Sequence, residues 1–439
     1  MKSKADFDKY SLIFLSLHSK IDDMKFLLSK QLLGFVFLVS FGCLAGSNVA
    51  NAQLADKVYS GLAGYKIEPG KEKQLFLELD NLNFFRDNEY STKMLRGYTL
   101  PGFWLQAKAV YYPLPNLKIE GGLHNLWYWG AVRYPEATFQ SLPTWQGKGH
   151  SGKVHWLPLL RAHLSLNEHF DLVFGHLYGG TNHGLITPLY NPELVMTADP
   201  ETGLQLLFDS EHWTADLWVN WQSFIFQTDT HQEAFTVGLA SRWKLNDPEA
   251  PLHFYAPIQV LAQHHGGEID TITVNSVQTE LNGAIGLGAV WNVRHGALRK
   301  VNASVNYTGY YQESGNLWPK DRGYGLYANL SADLSNFRFR AAYWQAHDFF
   351  PILGSPLYGV STYKSPDLLM DNPKTLIFGI EYARSLGKGC SFGADVEFLN
   401  HFSGDLYTTD GQPSGDSPEG SFSFGAYLRF NPSVLLKKF

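Results

Sequence analysis

Arg338 and Arg340 stand two positions apart, with Asp333 shortly before them and Glu381, Asp395 and Glu397 further along the chain. Residues i and i+2 of a β-strand share a face. If these segments are strands, both guanidinium groups project from one wall towards neighbouring carboxylates. Lys300 and Asp216 fall on the same face by the same alternation. Opposed charges across a narrow passage offer a transverse field that orients dipolar solutes. A blander reading is a salt-bridged wall with a purely structural role.

A second group lies in residues 179–190, Gly-Gly-Thr-Asn-His-Gly-Leu-Ile-Thr-Pro-Leu-Tyr. Its small and apolar residues are unlike those of a freely solvated loop. They suit either a segment that folds inward and narrows the space its neighbours enclose, or one packed over a rim. Asn182, His183 and Tyr190 are the candidates to project from it. Trp145, Trp318, Tyr358 and Tyr363 could stack on sugar rings, or belong to an interface girdle or loop packing.

Enzyme signatures are poor. His183, His264-His265 and His347-Asp348 are scattered, and the sequence has no HExxH motif and no paired cysteines to hold a metal. On this basis the sequence predicts a chain that is not an enzyme and needs neither metal nor cofactor.

The elements that must position these groups are strands. Val301, Ala303, Val305 and Tyr307 alternate with polar residues, as do Tyr324, Leu326, Ala328 and Leu330, and Phe337, Phe339, Ala341 and Tyr343. Such runs approach the length that a tilted strand needs to cross a bilayer. Longer loops alternate with minimal turns, the rhythm of a membrane barrel. In the first strand Leu75, Leu77 and Leu79 face outward, and a slip is expected before Leu82 and Phe84. Pro158 and Pro257 fall within expected strands, where bulges or a miscounted pair would accommodate them. The fold class predicted is all-β, a transmembrane antiparallel barrel of about sixteen strands, with fourteen to eighteen open.

Residues 24–52 read as a secretory signal peptide ending in Ala50-Asn51-Ala52, preceded by a start-site extension over 1–23. A short periplasmic lead-in, polar and irregular, follows over 53–73, and the barrel occupies 74–439. The first 52 residues take six Lys and four Asp with them, leaving 29 basic and 37 acidic groups and a formal charge of −8, against −6 for the whole chain. That balance disfavours nucleic acid as a partner. Cys390 is then the only cysteine, so no internal disulfide forms.

The hairpin rhythm, the 179–192 loop and the closing Phe424-Gly425-Ala426-Tyr427-Leu428-Arg429-Phe430 together resemble a porin-type outer-membrane β-barrel of a Bacteroidota-like envelope. Residues 431–439 follow the apparent last strand, unlike the usual ending. The resemblance implies a Gram-negative outer membrane, both termini in the periplasm, assembly by the barrel-assembly machinery and passive passage of small hydrophilic solutes. A weaker similarity, through the glycine-rich loop between aromatic strands, is to Wzi-type capsule-assembly lectins, which implies binding of surface polysaccharide. A third reading is a barrel subunit of an envelope secretion or assembly complex.

Overall fold

The computed structural model describes residues 54, 58–59, 66–68, 70–128, 154–223, 225–226, 232–267, 277–293, 295–362, 365–402, 404–416 and 419–439. All belong to one compact unit, Asn51–Phe439. The expected leader, nearly all of the 131–154 loop with Trp145, and Tyr363 lie outside the described residues.

The strands in chain order are β1 (Gln74–Ser91), β2 (Arg96–Leu114), β3 (Leu117–Tyr128), β4 (His155–Ser165), β5 (Phe170–His176), β6 (Thr202–Asp209), β7 (Trp213–Ser223), β8 (Ala234–Lys244), β9 (Leu252–His265) and β10 (Gln278–Asn292). They continue as β11 (Leu298–Ser314), β12 (Arg322–Leu334), β13 (Phe337–His347), β14 (Leu368–Met370), β15 (Lys374–Gly387), β16 (Cys390–His401), β17 (Asp405–Thr408), β18 (Pro413–Asp416), β19 (Glu419–Phe430) and β20 (Ser433–Lys438). Three short ones, β14, β17 and β18, form a separate sheet.

The remaining strands make one antiparallel sheet that closes where β1 pairs with β19. β20 is no additional stave. Asn81 faces Phe430 and Glu78 faces Ser433, so one register runs unbroken through Asn431 and Pro432. Residues 431–439 therefore extend the last strand instead of trailing from it, and the closed barrel has sixteen staves. Closure leaves no unpaired edge in lipid, where water cannot satisfy the backbone. Among the described residues no helix is long and apolar enough to cross a membrane, so the crossing is made by strands.

Side chains sort as the alternation requires. Leu287, Ile285, Leu217, Phe378 and Leu330 lie exposed on the outer surface, while Asp216, Trp218 and Asn220 are buried inside. The slip expected in β1 does not occur. Pairing with β2 is continuous from Leu75 to Asn88, which turns Leu82 and Phe84 inward, where both are buried. Neither proline shifts the ladder: Pro158 faces Leu123 in register, and Ile258 and Tyr255 flank Pro257 at one unchanged offset.

The barrel is packed inside. One apolar cluster joins Leu82, Phe84, Leu100 and Trp104 to Tyr190, Leu194 and Met196, and a second joins Tyr327, Trp344 and Ile377 to Leu189, Phe349, Phe350 and Tyr358. Trp318 and Tyr358, read from sequence as possible sugar-stacking or girdle residues, are buried in this second cluster, with Trp318 stacked 4.6 Å from Phe350.

The apolar belt makes a depth-dependent prediction. Leu217→Arg, near the middle of β7, should lower unfolding free energy by about 2–4 kcal/mol, whereas Leu245→Arg, at the turn beyond β8, should lose about 1 or less. Equilibrium unfolding in lipid vesicles reads both, and equal losses would move the belt elsewhere.

Candidate functional site

The site is built by a break in the wall. β5 and β6 are the shortest staves, with 7 and 8 residues, and they pair with β4 only from Arg161 to Ser165 and with β7 only from Thr214 to Asn220. Gly175 and Gly203 face each other where both strands leave the barrel. A Cβ at Gly175 would collide with the Leu160 carbonyl, and one at Gly203 with the Val219 carbonyl. Gly175 also adopts φ +90°, which glycine tolerates. Among the described residues the upper part of β4 has no strand partner on that side beyond this pair, and the connecting segment 177–201 turns into the interior.

Two buried polar clamps hold that segment. His183 is enclosed, with Nδ1 2.7 Å from the Asp216 carboxylate, Nε2 2.9 Å from Glu201, and its ring stacked 3.5 Å from Trp218. The Gly180 N–H donates to Glu201, and Gln205 donates to Asp216. Burial opposes charge on this imidazole, but Glu201 and Asp216 outweigh it and raise its pKa from 6.5 to about 10. It is therefore an imidazolium donating to two carboxylates, and not a general base. At the other end Glu193 accepts hydrogen bonds from Asn88 (2.8 Å) and Tyr98 (2.6 Å) and pairs with Arg86 at 3.3 Å. Tyr190 is buried and bridges to Leu353, and the Asn182 side chain donates to the Gly179 carbonyl.

The charges expected on the wall do come together, with both arginines paired. Arg338 makes a bidentate pair with Asp333 at 2.6 and 2.7 Å, and Arg340 donates to Glu397. Asp395 pairs with Arg86 at 3.1 Å, and Glu381 stands in register with Arg338 and Asp395. Lys300 is in register with Asp333. Asp216 is apart from this group, in the His183 clamp.

Beneath the clamps lies a cavity of about 340 Å³. Towards the end of the barrel where β1 begins and β20 ends it is lined by Lys118, Glu120, Arg161, Asp80 and Arg429, and towards the wall gap by His124, His176, Asp199 and Glu201. Glu120 gathers Lys108, Lys118 and Arg161 within 3.0–3.2 Å. In the gap His155 of β4 reaches Asp199 of the infolded segment, Nε2 to Oδ1 3.1 Å. His176, the last residue of β5, has Nδ1 3.1 Å from both the N–H and the carbonyl oxygen of Leu160, and its tautomer decides which of the two it pairs with: Nδ1–H donates to the carbonyl, bare Nδ1 accepts from the N–H. His124 Nε2 is buried with no hydrogen-bond partner.

Sequence reasoning missed Glu201, Glu193, Arg86, Asp199 and the three histidines. One signal was available, since Trp218 places a large aromatic on the polar face of β7.

A family model described as "Lipid A 3'-O-deacylase-type" matches residues 67–439. No curated protein matches the sequence. Among solved structures the chain resembles OccAB4 of Acinetobacter baumannii, with 10% identity, 84% of this chain and 100% of that one covered and a TM-score of 0.44. It also resembles OmpT, an outer membrane protein of Vibrio cholerae, with 8% identity, 83% and 99% covered and a TM-score of 0.43. An anion-selective porin from Comamonas acidovorans gives 11% identity, 81% and 98% covered and a TM-score of 0.42. The match to an enzyme family overturns the expectation that the chain is not an enzyme. That expectation rested on local motifs, whereas the groups of this site come from β3, β4, β5 and the infolded segment, too far apart in sequence to form one.

The His183 clamp predicts a pH dependence. Its folded pKa lies above the unfolded one, so its contribution to holding segment 177–201 is complete below about 6.5 and is lost as pH rises through about 10. Limited proteolysis of this segment should accelerate over that window in the parent protein, and the acceleration should be much weaker in His183→Gln. The same pH profile in both would refute the clamp.

Proposed function

The chain belongs to the lipid A 3'-O-deacylase-type family, and on that premise we propose that it hydrolyses an acyl ester of lipid A in the outer membrane of a Gram-negative bacterium. The observation that carries this reading is the His155–Asp199 pair set in the gap of the barrel wall. A substrate whose ester lies at the edge of the bilayer can reach such a gap from the side, without crossing the packed interior. Trp156, Leu160, Phe174 and Leu204 present an apolar surface around it. With the loop end outward, as the sequence suggests, the gap opens into the outer leaflet.

The chemistry needs a base, an acid and positive potential. With Nδ1 held on the Leu160 backbone, His176 takes a proton at Nε2 from a water as that oxygen bonds to the ester carbonyl carbon. The tetrahedral intermediate then breaks its bond to the sugar oxygen, which receives the proton from His176, leaving an alcohol and a fatty acid that ionises in water. Asp199 stands 3.1 Å from His155 beside this centre, and the cationic group around Glu120 favours the anionic head group and the developing oxyanion.

A second reading, passive passage of small hydrophilic solutes, has the charged wall of Arg338, Arg340, Lys300 and the neighbouring carboxylates in its favour. Against it stand the two apolar clusters that fill the lumen. Steady single-channel current in planar bilayers would favour the channel, and a silent barrel the hydrolase.

The test of hydrolysis is mass spectrometry of lipid A incubated with the refolded protein. Loss of one acyl chain is expected, and His176→Ala and Asp199→Asn should each slow it by about a hundredfold or more while the barrel stays heat-modifiable on gels. Parental rates in both variants, or no acyl loss with the parent protein, would sink the assignment.

A further inference from the structure

The charged end of the cavity brings more positive than negative groups into contact. Glu120 gathers Lys118 at 3.0 Å, Arg161 at 3.0 Å and Lys108 at 3.2 Å, and Lys108 has one further carboxylate, Glu78, at 3.8 Å. Three cations thus share two carboxylates. The neighbouring Arg429 and Asp80 balance each other at 2.7 Å and leave that surplus as it is. Lys108 and Glu120 are buried at 7% and 3% exposure, and a surplus charge at such a depth is costly without a counter-ion.

Two of these cations are also held by the infolded segment. Arg161 donates to the backbone carbonyls of His176 at 2.6 Å and Leu177 at 3.0 Å, and its guanidinium lies 4.1 Å from the centre of the Tyr178 ring. Lys118 Nζ lies 5.2 Å from the same ring. Both side chains are therefore fixed before any ligand arrives. Water has a route to them, because the exposed Lys66, Glu68 and Ser433 line the same cavity of about 340 Å³ at the end where β1 begins and β20 ends.

We propose that the part of the cavity bounded by Lys108, Lys118 and Arg161 binds a phosphate group. A phosphate monoester presents three acceptor oxygens and up to about two negative charges, and pinned guanidinium and ammonium groups are well suited to it. Glu120 tunes the affinity, since it gathers the three cations and also competes with phosphate for them. Two sources share this chemistry, the phosphorylated head group of a lipid and free phosphate in water. The lipid source rests on the hydrolase reading, because Arg161 holds the carbonyl of His176 and so sets the site beside the proposed base. The phosphate site itself stands without that reading.

The test reads binding and not turnover. Inorganic phosphate is titrated calorimetrically into the refolded protein in detergent, in a phosphate-free buffer of fixed salt, and one site per chain is expected. Lys118→Gln should weaken binding by about tenfold or more. Glu120→Gln, which removes the competitor, should tighten it, and Lys300→Gln, outside the cavity, should leave it unchanged. If Glu120→Gln does not refold, the two lysine variants give the reading alone. Micelles of phosphorylated lipid A, and of the same lipid stripped of phosphate, are then added to the phosphate-loaded protein. Release by the phosphorylated lipid alone identifies a head-group site, and retention against both identifies a free-phosphate site. No phosphate binding by the folded parent, or equal weakening in Lys118→Gln and Lys300→Gln, would overturn the proposal. Phosphate binding with the expected variant pattern but no acyl loss would support the site and count against hydrolysis alone.

Discussion

A bilayer offers no hydrogen bonds, and that one deficiency dictates this architecture. Every backbone group in the membrane must find a partner in the sheet, so the sheet must close. With sixteen staves, closure encloses more volume than inward side chains fill, and the remainder must hold water or more protein. Here much of it holds protein. Segments of the chain turn inward and bring apolar residues such as Leu189, Met196, Phe349 and Phe350 to meet Leu82, Phe84, Trp104 and Trp344.

Filling a barrel with its own connections raises a second difficulty, because those connections carry polar groups into a space of low dielectric. An isolated buried ion costs several kcal/mol. The structure meets this by pairing: Glu193 with Arg86, His183 with Glu201 and Asp216, Arg338 with Asp333 and Arg429 with Asp80. Such pairs add little net stability over a well-packed apolar contact. Their effect is positional: the first two fix points of the infolded segment to β1 and β7, and the last two join neighbouring staves. Asp199 reaches His155 because the clamp at Glu201, two residues away, holds the segment in place.

How much of this was legible follows from the same physics. Lipid constrains the outer face of every strand alike, so the alternation in β7, β11 and β12 wrote the barrel into the sequence, and the sixteen staves could be counted from it. The interior carries no such periodic demand. Leu82 and Phe84 looked like a register slip because an aqueous lumen was assumed, and an apolar residue pointing into water made no sense. Residues 431–439 follow the apparent last strand in the sequence, yet β1 continues to pair beyond Pro432. The arginine and carboxylate wall was visible because Arg338 and Arg340 share a strand face. The clamps were not, because their partners lie far apart in the chain: Arg86 and Glu193 belong to different hairpins, and His183 meets Asp216 only once β5 and β6 have stopped short.

That early stop also explains how one feature can serve two needs. A full-length β5 and β6 would complete the wall and leave segment 177–201 outside the membrane, as an ordinary loop. Ending them at the facing Gly175 and Gly203 delivers the segment to the lumen, but it strips β4 of a neighbour at Leu160, where an unpaired backbone group in lipid would be costly. His176 makes good that loss from the first residue after the glycine, and in doing so it is held at the breach with one ring nitrogen engaged. The group that repairs the ladder is therefore also an imidazole at the place where a lipid could enter. On the hydrolase reading, the site did not need a separate scaffold, because satisfying the backbone at a shortened stave already fixes a histidine at the edge of the bilayer.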